Sequence, residues 1–178
     1  MRILMLASEV APFAKTGGLA DVVGALPRAL VKRGHDVRIM MPLYRDIDRY
    51  RHRLLPLMRQ MNVTWGSEQI TGEVMRCSFP CREPVPVYFI QQDMLYGRSG
   101  LYGDMMGDYP DNDRRFAFFC LAALWTLKGL DWPVDVIHVH DWQTGLASAL
   151  LKYHPVMIND PFYRRIRTVF TIHNLAYQ

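Results

Sequence analysis

Between Ile3 and Met41 the chain passes through an apolar run, a glycine pair, a segment of helical period and a second apolar run, and this succession leaves few folds open. Ile3-Leu4-Met5-Leu6-Ala7 is short and continuous enough to be a buried strand. Leu19, Val22, Val23, Leu26, Ala29 and Leu30 recur at the spacing of one helix face, and Lys32-Arg33-Gly34 places basic residues and then a glycine where such a helix should end. Val37-Arg38-Ile39-Met40-Met41 is the next strand, stopped by Pro42. Strand, helix and strand in that order make a βαβ unit, whose crossover forces the two strands parallel. The expected class is therefore α/β, with a Rossmann-like, doubly wound and mostly parallel sheet.

The connection from first strand to helix, Lys15-Thr16-Gly17-Gly18-Leu19-Ala20-Asp21, carries the clearest hint of chemistry. A loop feeding a helix start gathers backbone N–H groups and the positive end of the helix dipole, which suits an anion. Gly17 and Gly18 let a ligand come close to the backbone, Lys15 adds a full charge, and Asp21 can accept from hydroxyls. The same residues also serve an ordinary strand–helix turn, and neither the Rossmann nor the Walker glycine spacing is present.

Further along, Val63-Thr64-Trp65, Ile70 to Val74 and Val85 to Ile90 read as short strands with turns at Gly66 and Pro84, a meander inserted in or edging the sheet. Tyr96 to Pro110 has no period and is longer than ordinary connections, the mark of a functional or mobile loop. Asp111-Asn112-Asp113 opens the most apolar helix, to about Gly129; capping explains the triplet better than a divalent metal does. Val134 to His140 and Arg167 to Ile172 are strands, each followed by polar residues: Asp141-Trp142-Gln143-Thr144-Gly145 and His173-Asn174. In a doubly wound sheet the carboxyl ends of strands line the ligand crevice, so the three polar segments after strands are expected to converge. His138, inside its strand, reads as packed and hydrogen-bonded. For His140 and His173, at strand ends, donation to a sugar hydroxyl or a developing charge stands beside a purely structural role.

Composition narrows the function classes. Lys and Arg exceed Asp and Glu by four, but they are scattered, and no recognisable reader of nucleic acid accompanies them. Cys77, Cys81 and Cys120 make an odd count without a zinc-spaced set, which argues against a disulfide framework or a metal site and fits a reducing compartment. Glu9 ends the first apolar run too early for a signal peptide, and Phe116 to Leu127 is too short to span a bilayer. A cytoplasmic protein without membrane or nucleic-acid partners is expected.

Four stretches together resemble the bacterial glycogen synthases and plant starch synthases: Ser8 to Val22 (Ser-Glu-Val-Ala-Pro-Phe-Ala-Lys-Thr-Gly-Gly-Leu-Ala-Asp-Val), Tyr109-Pro110-Asp111-Asn112, His138 to Gly145, and Thr171 to Gln178. The resemblance implies the first half of a glycosyltransferase-B fold, with residues 1–178 as the amino-terminal, acceptor-side domain and the carboxy-terminal nucleotide-binding domain absent. It implies transfer of glucose from ADP-glucose to the non-reducing end of an α-1,4-glucan with retention, using no metal and no cofactor beyond the donor. Preference for ADP-glucose over UDP-glucose stays open. Carried over by motif, His173 and Asp141 are catalytic, and Lys15, Gly17, Gly18, Asp21, Tyr96, His140 and Asn174 bind substrate. Tyr96 is expected to border the cleft. This piece alone is expected to fold but to transfer glucose poorly, and a non-catalytic glucan-binding or regulatory module is the alternative. A flavodoxin-like nucleotide or flavin binder also fits the βαβ pattern but explains neither histidine segment.

Overall fold

The amino-terminal apolar run is strand β1 (Arg2–Leu6), and the computed structural model, which describes residues 1–78 and 85–177, places it inside a seven-stranded sheet. Leu4, Met5 and Leu6 are wholly buried, because both faces of the strand are covered; this explains a continuous rather than alternating apolar run. Helix α1 (Gly18–Val31) leads to β2 (Asp36–Pro42), which pairs parallel with β1 from Arg2 opposite Asp36 to Leu6 opposite Met40. The helix ends at its basic, glycine-bearing segment. Gly34 takes φ +83° and donates to the Val31 carbonyl at 2.9 Å, and the His35 N–H reaches the Leu30 carbonyl at 3.2 Å. These two bonds around a left-handed residue satisfy the last turn's carbonyls.

Strands β3 (Leu55–Trp65), β4 (Glu68–Ser78) and β5 (Pro86–Gln91) form the meander, antiparallel among themselves, with β5 joining β2 in parallel. It edges the sheet, but the first two strands are longer than their sequence suggests. Register shifts between Pro56 and Met61 break the two-residue alternation that would have revealed the start of β3. Gly66, at φ +58°, turns the hairpin; the expected turn at Pro84, and Cys81, lie outside the described residues.

A short helix α2 (Asp93–Tyr96) and a small hairpin of β6 (Gly103–Asp104) and β7 (Gly107–Asp108) precede the long helix α3 (Asn112–Gly129). This helix packs against β2, β3 and β5 and also against α4 (Trp142–Tyr153), so Phe116 through Leu124 are buried without interruption. Burial on all sides accounts for its lack of a polar stripe. Asp111 stands just before α3, yet its side chain makes no capping bond. Arg98 instead grips both carboxylate oxygens at 2.7 Å, and these hydrogen bonds hold the Asp111 carboxyl below the usual range. The expected cap is thus an ion pair that fastens the aperiodic loop. Tyr109 Oη donates to the Ser99 carbonyl, and Asn112 Nδ2 to that of Tyr102, tightening it further.

Strand β8 (Val136–His140) pairs parallel on the other side of β1, and β9 (Arg167–Thr171), reached through α4 and the short α5 (Pro155–Asn159), pairs parallel with β8. The strand order is β3-β4-β5-β2-β1-β8-β9. From β1 the chain winds one way to β2, and from β8 the other way to β9. Right-handed crossovers therefore put α1 and α4 on opposite faces, and the winding reverses between β1 and β8. A crevice opens beyond the carboxyl ends of strands at such a reversal. On β9, one of the two edge strands, Val169 and Phe170 are about half exposed, as is Ile172 just beyond it, at 47, 49 and 46%.

Candidate active site

The crevice at that reversal is a cleft of about 560 Å³, lined by the loop after β1 and the first residues of α1, by Tyr102, Asp108 and Asn112, by Asp141, Trp142 and Gln143 after β8, and by His173 and Asn174 after β9. The three strand-end segments converge, as the topology requires.

On the α1 side the sequence conceals an internal anion. Glu9 is 3% exposed, and its carboxylate accepts from the Thr16 N–H (2.5 Å), the Gly17 N–H (3.1 Å), Thr16 Oγ1 (2.6 Å) and Tyr102 Oη (2.6 Å). Two of the loop's N–H groups, expected to await a ligand, are therefore occupied by the protein's own carboxylate. What remains for a ligand is the first turn of α1, where Gly18 and Leu19 line the cleft and helical geometry leaves N–H groups without intrahelical partners. Gly17 has an extended backbone that any residue adopts, so no turn requires it. A Cβ added at Gly17 or Gly18 would meet no protein atom within 4 Å; the space it would fill belongs to the cleft. Glu9 was visible in sequence only as the residue that stops a strand. A carboxylate a few residues before a glycine loop is the signal that could have found it.

Lys15 and Asp21 are not part of the cleft wall. Lys15 Nζ donates to both Asp21 oxygens, at 2.8 and 2.7 Å, with both side chains more than half exposed. Exposed pairs of this kind are worth up to about 1 kcal/mol, so the ammonium can be redirected toward a ligand at small cost.

On the opposite wall Asp141 clasps two strand ends. Its N–H donates to the Thr171 carbonyl at 3.0 Å, and its Oδ1 accepts the His173 N–H at 2.6 Å. The residue sits at φ +58°, ψ 179°, a region held almost only by glycine, and strain of about 1–3 kcal/mol attends such positions. Asp141→Ala keeps the strain and loses the acceptor, so a cost of about 2–3 kcal/mol is expected. Asp141→Gly loses the same acceptor but relaxes the backbone. It is expected to be about 1–2 kcal/mol more stable than the alanine variant in urea denaturation, and the reverse order would contradict the strain.

His140 is fully buried behind the wall rather than in it. Thr144, also buried, accepts the His140 N–H at 2.6 Å and donates to the His140 carbonyl at 2.8 Å, locking the strand end to the first turn of α4. His140 stacks on His138 (centroids 4.1 Å apart) and on His173 (5.2 Å), and its Nδ1 lies 2.9 Å from His173 Nε2. Burial, with the neighbouring His138 and His173, pushes the His140 pKa down to about 3, so the ring is neutral. His138 is half-buried with Nε2 2.7 Å from Thr171 Oγ1, the packed and bonded state read from sequence.

Tyr96 does not border the cleft. It is wholly buried in α2, packs edge-on against Tyr44, and donates to the Arg115 carbonyl at 2.7 Å. The aperiodic segment instead sends Tyr102 to the cleft, where its hydroxyl meets Glu9 and lies 2.8 Å from Ser8 Oγ. Burial, reinforced by Tyr44 and Glu9, raises the Tyr102 pKa and keeps the phenol a donor.

Among the described residues the wall thus carries three carboxylates, Glu9, Asp108 and Asp141, amide and imidazole donors, and no Lys or Arg. Such a surface suits a neutral, hydroxyl-rich ligand; a multiply charged one needs cations from beside it. Among the described residues no group of three or more His, Cys, Asp or Glu is placed to hold a metal ion, and Cys77 and Cys120 are free and buried. Among the described residues no helix is long and apolar enough to cross a membrane.

The family model described as starch synthase catalytic domain matches residues 2–178. Glycogen synthase 2 of Geobacter metallireducens is 48% identical over the whole of this chain and 36% of its own length. The glycogen synthase of Syntrophotalea carbinolica is 49% identical over the same shares. A solved catalytic domain of starch synthase IV from Arabidopsis thaliana, bound to ADP and acarbose, matches with a TM-score of 0.83 at 32% identity, over 99% of this chain and 34% of that one. The chain spans about a third of the length of these relatives. With the match running almost from end to end, and the fold shared with a solved member, the chain belongs to the starch synthase catalytic domain family.

Proposed function

We propose that this chain forms the acceptor-side half of a retaining glucosyltransferase that moves glucose from ADP-glucose to the non-reducing end of an α-1,4-glucan in the cytoplasm. The observation that carries the reading is the convergence of three separate strand-end segments, Gly17-Gly18, Asp141 and His173-Asn174, on one cleft at the winding reversal. In the transfer the bond from the anomeric carbon to the diphosphate oxygen breaks, the oxygen of a glucan hydroxyl bonds to that carbon while its proton passes to the departing diphosphate, and ADP leaves with the remaining charge. The donors at the start of α1 and the Lys15 ammonium would meet that charge, while His173, Asn174 and Asp141 would orient the sugar's hydroxyls. Neither a metal nor a cofactor is assigned a part in this scheme.

A wall without Lys or Arg cannot balance a diphosphate by itself. We therefore assign the nucleotide and the remaining cations to a second, carboxy-terminal domain, corresponding to length that the relatives have beyond the matched third. The test is made in a protein of that full length. Lys15→Ala is expected to depress turnover at least tenfold, about 1.4 kcal/mol of transition-state stabilisation. His173→Ala is expected to reduce turnover while leaving glucan affinity largely unchanged. Unchanged turnover in the first variant, or a loss confined to glucan binding in the second, would remove the residue from its role.

The same carboxylate-rich wall favours one alternative, a glucan-binding module without chemistry. Calorimetric titration of the 178-residue chain with a malto-oligosaccharide and with ADP-glucose separates the two, since heat from the glucan alone favours the module.

A further inference from the structure

Three imidazoles, His138, His140 and His173, form a continuous stack from strand β8 to the cleft, and the middle one is closed off from solvent. Its backbone is fixed on both sides by Thr144. Its Nδ1 faces His173 Nε2 at 2.9 Å, and its Nε2 is buried with no partner among the described residues. A neutral imidazole carries one N–H, so two arrangements are possible. Were the proton on His140 Nε2, a buried donor would be stranded, which folded proteins avoid more strictly than an unpaired acceptor. With the proton on Nδ1, His140 donates to His173 Nε2, and only a lone pair is left unmatched.

We propose that His140 is a positioning residue that fixes the tautomer of His173: Nε2 of His173 is held bare as an acceptor toward His140, and the ring proton is confined to Nδ1. Nδ1 is then the nitrogen His173 offers to a ligand in the cleft, and it is always a donor. The other titratable groups packed about the pair are His138 on β8 and Asp141 at the end of β8, whose Oδ1 is bonded to the His173 backbone. α4 adds no titratable side chain here, only the Thr144 hydroxyl. The functional meaning of this lock, a permanent hydrogen-bond donor for a sugar oxygen, rests on the glucosyl-transfer reading of the cleft; the lock itself does not.

The experiment reads the proton directly, by long-range proton–nitrogen correlation spectra of the chain with ¹⁵N-labelled histidine at neutral pH. In the unsubstituted chain His173 is expected to be protonated at Nδ1 and bare at Nε2. His140→Phe keeps the ring but removes the donor, and should move the His173 proton largely to Nε2, the nitrogen an unconstrained imidazole favours. His140→Asn, whose amide nitrogen takes roughly the place of Nδ1, should return it to Nδ1. A His173 protonated at Nε2 in the unsubstituted chain overturns the proposal, as does a tautomer unaltered by His140→Phe. If that variant does not fold, the spectrum of the unsubstituted chain still decides. Loss of glucosyl transfer is not read at all, so failure of the lock and failure of the proposed activity remain distinct results.

Discussion

Arg115→Ala is expected to destabilise the protein by about 3–5 kcal/mol, the sum of a cavity and of buried acceptors left without donors. Arg115 has no exposed surface. Its Nε donates to the Leu95 carbonyl at 2.7 Å and its Nη1 to Asn112 Oδ1 at 2.6 Å. The guanidinium also lies 4.9 Å from the Tyr109 ring and 5.5 Å from that of Phe116. Among the described residues no carboxylate is bonded to it; burial lowers its pKa, and aromatic faces and carbonyl oxygens offset part of the desolvation. Because these contacts join the end of α2 to the start of α3, they bracket the loop that delivers Tyr102 to the cleft. Arg115→Met, which fills most of the volume but donates nothing, should fall between alanine and the unsubstituted protein. Urea unfolding monitored by far-ultraviolet circular dichroism measures both, and a loss under about 1 kcal/mol for alanine would show that the loop does not depend on this residue.

Glu9→Ala is expected to cost about 3–4 kcal/mol, and Glu9→Gln about 1 kcal/mol or less. Alanine strands four donors at once: the Thr16 and Gly17 N–H groups and the hydroxyls of Thr16 and Tyr102. The two backbone donors cannot turn away, whereas the two hydroxyls can rotate. A glutamine can therefore set its carbonyl oxygen against Thr16 and Gly17 and point its amide at hydroxyl oxygens that now accept. In a full-length protein the alanine variant should also lose turnover, since the loop entering α1 would no longer be held. Equal stability losses in the two variants would show that the negative charge, and not the pattern of acceptors, organises the loop.

These two residues mark where sequence reading stopped. The βαβ opening, the parallel strands and the meeting of strand ends were legible because each rests on local periodicity and on the handedness of crossovers. Glu9 and Arg115 act through partners brought close only by folding, and in a single chain each looks like an ordinary charged residue. Tyr96 escapes a sequence reading for the same reason in reverse. An aperiodic stretch rich in Gly, Tyr and Asp reads as surface, but Arg115, nineteen residues on, supplies the carbonyl that lets the Tyr96 phenol be buried. In the sequence Lys15 and Asp21 stand as separate charges, and only the folded loop pairs them. Periodicity marks His140 and His173 as strand-end residues; that one ring stands behind the other follows from the parallel register setting His140 opposite Thr171.

The β9 edge governs how this chain behaves in concentrated solution. β9 presents a rail of backbone donors and acceptors that no described strand pairs, beside the half-exposed Val169 and Phe170, with Ile172 at its end and no proline within the strand to blunt it. A rail of that kind is a template on which a further strand can be laid, from the same polypeptide or from a neighbouring molecule. Crowding copies of this segment together would thus favour lateral zippering into ribbons, a hazard that a strand docked there would abolish.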